Sequence, residues 1–284
     1  MNTRMLSWLM MPALLALAGC PSDGGSGSGR EGASVPSVLY VANQTSNDVS
    51  AYLISAVTGA LTAAPGGAVA AGTAPSAVTV SPNGSFAYVT NSGSNNVSAY
   101  TINATTGALT TVGAAVAAGT APRAAVVSPN GAFLFVANQG SNNISVYTID
   151  SGTGAVTALL GGTGNPFAAG TAPVGITITP NGSFVYAANS GSNNISAFSV
   201  NIGTGALTGL AGGIGNPFAA GTTPAGITLT SNASFVYVAN GGSNNVSAYT
   251  LDSGTGVLTA LAGGVGNPFA AGTLPFGIAT PGRP

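Results

Sequence analysis

SFVYVANGGSNNVSAYTLDSGTGVLT, residues 234–259, consists of two apolar alternating runs joined by a small polar turn, and its reading decides the fold. Phe235 and Tyr237 fall on one face of the first run, and Val246, Ala248 and Thr250 alternate after the Gly-Gly-Ser-Asn turn. Such period-2 patterning on both sides of a turn predicts a β-hairpin. The stretch recurs along the chain. The asparagine that ends its first run stands at Asn43, Asn91, Asn138, Asn189 and Asn240, spaced 48, 47, 51 and 51 residues apart, so five units fill the chain after residue 36. The second unit carries four short strand candidates: FAYVTN (86–91), VSAYTI (97–102), GALTTV (107–112) and RAAVVS (123–128). Four strands in about 50 residues is the pattern of a propeller blade.

The turns agree with this. Pro82-Asn83-Gly84, Pro129-Asn130-Gly131 and Pro180-Asn181-Gly182 put proline at the second turn position and glycine where a tight hairpin needs φ > 0. The fourth junction reads Ser231-Asn232-Ala233, so the turn either changes type or holds an alanine in the left-handed region. The loops SGSNN (92–96), GSNN (140–143), SGSNN (190–194) and GGSNN (241–245) read first as turn chemistry, with ligand binding as the alternative. Aromatics nine residues after each landmark asparagine, Tyr52, Tyr100, Tyr147, Phe198 and Tyr249, are expected to pack blade against blade. Asn-Pro-Phe inserts at 165–167, 216–218 and 267–269 make Phe167, Phe218 and Phe269 either exposed contacts on one face or plugs between adjacent blades.

The tetrapeptide YVTN at 88–91, with YVAN at 40–43 and 237–240, FVAN at 135–138 and YAAN at 186–189, resembles the YVTN β-propeller family. SNNVSAY, TGALT and the P-x-G-I-x-x-x-P-N-G pattern at 173–182 extend the resemblance over residues 37–280. It implies a propeller whose relatives include lactonases similar to phosphogluconolactonase, most of them seven-bladed. In that family the first strand after the leader is the second strand of a blade. The expected fold is therefore an all-β propeller of five four-stranded blades over 37–280, with the first blade closed by a C-terminal strand at about 275–280.

Composition excludes much chemistry. Only 3% of residues are charged, against about 25% in an average soluble protein. Lysine and histidine are both missing, which excludes Ser-His-Asp and Cys-His nucleophile systems, histidine-ligated metals, Schiff-base lysines and P-loops. A net charge of −1 offers no phosphate-neutralising patch, so nucleic acid is not an expected partner. Asp48, Asp150 and Asp252 are the acids of the repeats. They stand in different units, too far apart to act as a glycosidase pair, and Asp150-Ser-Gly-Thr-Gly and Asp252-Ser-Gly-Thr-Gly offer one carboxylate each where calcium loops use several. No metal or cofactor is expected. Arg123 is the one charge placed near the axis, with Ser76, Val174, Ala225 and Phe276 as its counterparts in the other units, and Arg123 and Phe276 are candidate ligand contacts.

The N-terminus reads as a processing signal. Arg4 precedes an apolar segment, MLSWLMMPALLALA (5–18), followed by Leu17-Ala18-Gly19-Cys20, which resembles a bacterial lipobox with Cys20 as the lipid acceptor. Cys20 is the only cysteine and has no disulfide partner, and PSDGGSGSGREGASVP (21–36) is a flexible tether. The expected layout is a lipoprotein signal at 1–20, a tether at 21–36, the propeller at 37–280 and a tail at 281–284. A cell-envelope location follows, with the lipid in the membrane, periplasmic or surface-facing, outer membrane rather than inner. The reading of function is a non-enzymatic binding or structural module with a glycan, cell-wall or protein partner on one propeller face. A sugar-lactone hydrolase and a lectin-like module with one weak glycan site per blade are its rivals.

Overall fold

The computed structural model describes residues 15–18, 37–159, 165–210, 217–261 and 268–280. These residues form five antiparallel sheets and no helix. Sheet two shows the unit. Pro75–Val80 is its inner strand, followed by Phe86–Asn91, Asn96–Ile102 and Leu109–Thr111, and the two-residue strand Val116–Ala117 pairs the other end of the third. The hairpin between second and third strands pairs Phe86 with Thr101 through to Asn91 with Asn96. All five sheets repeat this pairing around the landmark asparagine.

Successive side chains of the second strand alternate between the two faces of a sheet, and in a propeller both faces are covered by a neighbouring blade. That is why Phe86–Asn91, Phe133–Asn138 and Phe184–Asn189 are buried throughout. The core is accordingly divided into slabs between sheets. Phe133, Phe135, Ile144 and Phe167 of sheet three, for example, pack on Val185, Ala187, Phe198 and Leu207 of sheet four. The inner strands lie side by side in chain order, and among the described residues no packing of comparable extent joins the fifth sheet to the first.

The β-propeller reading holds, but its closure is not the one expected. The inner position of sheet one is taken by Leu15–Ala18, whose backbone pairs antiparallel with Val38–Val41 of the strand Ser37–Asn43. Residues 275–280 do not pair there. They run beside Pro224–Leu229, where Thr280 donates its hydroxyl proton to the Leu229 carbonyl and a Cβ on Gly226 would come within 2.6 Å of the Phe276 carbonyl oxygen. The physical reason is that the segment follows directly on the fifth sheet and meets the neighbouring inner strand first. It stands where the inner strand of a sixth sheet would be.

Candidate functional site

A shared irregularity builds the site. In each of sheets two to five the inner strand shifts register just after its first proline, between Pro75 and Ala77, Pro122 and Ala124, Pro173 and Gly175, and Pro224 and Ile227. A bulge of this kind re-aims one side chain out of the regular alternation. The residues at or beside it, Ser76, Arg123, Val174 and Ala225, together with Phe276 of the following segment, line one pocket of about 120 Å3 on the inner side of the array. This is smaller than the roughly 300–1,000 Å3 of drug-sized sites and suits a ligand no larger than a monosaccharide.

The walls are mostly apolar. Gly175 and Gly226 let the inner strands come close, since a Cβ on Gly175 would lie 2.3 Å from the Ala225 carbonyl oxygen. The Ser76 hydroxyl donates to the Pro122 carbonyl at 2.7 Å, tying the second inner strand to the third just before Arg123. Arg123 is the only charged side chain of the pocket. Burial disfavours its cationic form and pulls its pKa below the usual arginine value, yet a guanidinium keeps its charge in a protein at neutral pH. The site can therefore polarise a carbonyl or hold an anion. It offers no side chain able to act as a general base near neutral pH.

Of the residues singled out in the sequence, Arg123 and Phe276 are brought together here. Phe167 and Phe218 are not on an exposed face: they are 7% and 4% accessible and fill the slabs between sheets three and four and between four and five. Phe269, at the same position in sheet five, is 39% accessible. Cys20 lies outside the described residues. Asp150 and Asp252 cap turns. Asp150 accepts hydrogen bonds from the amides of Gly152 and Thr153 and from the Thr153 hydroxyl, and these hold its pKa below the ordinary carboxylate value. Among the described residues no cluster of acidic, histidine or cysteine side chains could hold a metal ion.

Sequence reasoning missed the second role of the Asn-rich loops. Asn47, Asn95, Asn142, Asn193 and Asn244 are all left-handed, and each side-chain oxygen accepts the amide of the residue just before the next inner strand, Ala74, Ala121, Ala172, Thr223 and Leu274, at 2.8 Å. The loops thus latch one sheet to the next. The available signal was an asparagine standing 27 to 31 residues before Pro75, Pro122, Pro173, Pro224 and Pro275.

The sequence matches the model of the family described as lactonase, seven-bladed β-propeller, over residues 37–166 and 162–270. No curated protein matches it significantly. Among solved structures it is similar to a Bacteroides uniformis protein provisionally assigned as a 6-phosphogluconolactonase, at 20% identity and a TM-score of 0.68 over 82% of this chain and 68% of that one. It is similar also to the periplasmic gluconolactonase of Pseudomonas aeruginosa, at 22% identity and a TM-score of 0.61 over 79% of this chain and 66% of that one. A functionally unknown protein of Desulfotomaculum acetoxidans matches at 18% identity and 0.65, over 79% of this chain and 65% of that one. The chain thus spans about two thirds of the length of these relatives. With the family model covering the repeats almost from end to end, this chain belongs to the lactonase β-propeller family.

Proposed function

We propose that the protein hydrolyses sugar lactones, binding them in the pocket on the inner side of the propeller. The observation that carries this is a single guanidinium, Arg123, set in an otherwise uncharged and largely apolar pocket of monosaccharide size, in a chain of the lactonase family. Arg123 would face the lactone carbonyl oxygen and stabilise the negative charge that develops as water adds to the acyl carbon. The ring C–O bond then breaks, the water proton ends on the departing alkoxide, and the product is a hydroxy acid. With no side-chain base beside the water, the factor of about 10²–10⁴ that general-base catalysis supplies is forgone. Turnover should therefore be slow and rise steadily with hydroxide concentration, without a bell-shaped profile. Purified protein with a panel of sugar lactones tests this, and Arg123→Ala should lower kcat/KM about 100-fold. Hydrolysis no faster than buffer, or turnover indifferent to Arg123, would sink the proposal.

The lack of a base favours one second reading, a propeller that binds small polar ligands without turning them over. Calorimetry separates the two: a sugar acid or lactone that binds through Arg123 and is recovered unchanged supports it.

We propose further that Cys20 carries lipid and holds the protein at the envelope membrane, on the strength of Leu17-Ala18-Gly19-Cys20 and the Gly/Ser tether behind it. Cys20→Ser should move the protein out of the membrane fraction. Unchanged lipid labelling in that variant would end the idea. Cleavage before Cys20 would also remove Leu15–Ala18 and free the inner edge of Ser37–Asn43.

A further inference from the structure

The pocket is not alike at its two ends. Because the inner strands lie side by side in chain order, the side chains at the shared bulge follow one another across it as Ser76, Arg123, Val174, Ala225 and Phe276. Both polar side chains stand at the start of that series, on sheets two and three. Beyond them the walls are Val174, Ile227, Phe276 and Ile278, on sheets four and five and the segment that follows, and these side chains carry no polar atom.

The polar end has little to offer a ligand rich in hydroxyls. The Ser76 hydroxyl gives its proton to the Pro122 carbonyl at 2.7 Å, and the Thr90 hydroxyl lies 2.9 Å from the same oxygen. Arg123 supplies N–H donors and accepts nothing. Two backbone oxygens at the apolar end are turned aside: the carbonyls of Ala225 and Phe276 sit so close to Gly175 and Gly226 that a Cβ there would come within 2.3 and 2.6 Å of them. A polyhydroxylated ring bound here would leave hydroxyls against apolar walls, stripped of water with no partner in return.

We propose that the substrate the pocket takes best is a lactone bearing an apolar substituent, such as a short alkyl chain, in preference to a sugar lactone. Its carbonyl lies at Arg123, and the substituent points along the series toward Phe276 and Ile278. The inference rests on the hydrolytic reading above for its chemistry and goes beyond it in the class of substrate. Hydrolysis adds one water across the ring C–O bond, and the hydroxy acid that results keeps its carboxylate against Arg123 and its alkyl chain against the same walls. A δ-lactone with a short alkyl chain has no more than the bulk of a monosaccharide, so it fits a pocket of about 120 Å3. Phe276 is the specificity-determining residue: half-buried, it is the one aromatic side chain lining the pocket among the described residues, and it stands at the end away from Ser76 and Arg123.

The test gives the full chain δ-hexalactone and glucono-δ-lactone, which share a carbon skeleton and differ in their hydroxyls, with each rate corrected for hydrolysis in buffer. kcat/KM is expected to be about 10- to 100-fold higher for the alkyl lactone. An equal value, or a preference for the sugar, overturns the proposal. Phe276→Ala should lower the hexalactone value about 3- to 10-fold, through lost apolar contact, and leave that of the gluconolactone within about 2-fold. Val174→Thr, the same shape with a hydroxyl, should narrow the preference about 3- to 10-fold. Losses common to both substrates in both variants would assign the walls a structural role only and overturn the proposal too. Calorimetry with hexanoate and gluconate separates this inference from the hydrolytic reading. If neither lactone is turned over, hydrolysis falls, while hexanoate bound at least about 10-fold tighter than gluconate still supports an apolar site. Hexanoate bound no tighter than gluconate, or not at all, overturns it.

Discussion

The backbone of each repeat depends on a few residues held at positive φ. Gly84, Gly131 and Gly182 occupy the turn between inner and second strands at φ 69–74°, and Ala233 occupies the same place at φ 54°. Its Cβ makes the left-handed conformation costly, so Ala233→Gly should stabilise the protein by about 0.5–1 kcal/mol, read from chemical denaturation. A lower midpoint would show that the added freedom of the unfolded chain outweighs the relief. Gly154 is the opposite case. At φ 75°, with a Cβ only 2.2 Å from the Phe86 ring, Gly154→Ala combines backbone strain with overpacking. It should cost about 2–4 kcal/mol, and Phe86→Leu in the same chain should recover part of that loss. The alternatives at Ala233 were readable in the sequence. The reason for Gly154 was not, because Phe86 lies far from it along the chain.

At the level of the element, the turn between the second and third strands does two jobs. The landmark asparagine closes it from within: Asn138 donates to the side-chain oxygens of Asn143 and Ser145 at 2.8 and 2.9 Å. The left-handed Asn142 latches it to the next sheet through the Ala172 amide. Asn142→Ala removes that acceptor and places a Cβ without a compensating polar group at φ 57°. A loss of about 2–3 kcal/mol in stability is expected, one hydrogen bond plus the left-handed penalty. Asn142→Gly, which keeps the conformation and loses only the bond, should cost about 1 kcal/mol. Equal losses in the two variants would mean that φ at this position carries no strain. The turn itself was legible as GSNN. Its partner was not, since the amide it accepts sits 30 residues on and the pairing exists only once two sheets are adjacent.

The whole molecule should be insensitive to pH through the neutral range and fail at both ends. No histidine is present, so no side chain of the repeats titrates between pH 5 and 8. On the acid side, hydrogen bonds hold Asp150 and Asp252 below the usual carboxylate pKa. Their contribution is present above the unfolded value of about 3.9 and is lost as pH falls through the folded values. On the alkaline side, burial pushes the phenols of Tyr40, Tyr88 and Tyr147 up to about 12, and that of Tyr186 up as well. Their neutral forms stabilise the fold below the unfolded value of about 10, and this stability is lost as pH rises through the folded values. Melting temperature measured against pH should be level from about 5 to 9 and fall steeply above about 10. A sharp step between pH 6 and 7 would contradict this account, and a Tyr88→Phe variant should shift the alkaline limb upward.

The number of repeats, the all-β class, the hairpin of each unit and the place of Arg123 on an inner strand were legible in the sequence alone, whereas the short fifth strand of each sheet was not. The former depend on local period and turn chemistry, which neighbouring residues carry. What the tertiary structure decided is everything set by packing between units. It buried Phe167 and Phe218, left Phe269 uncovered, and sent 275–280 to the edge of the fifth sheet rather than to the first. These residues carry nearly the same local sequence from one repeat to the next, and their environments differ only because some have a neighbouring blade and others do not. Closure depends on the angle between whole sheets, which no single repeat encodes.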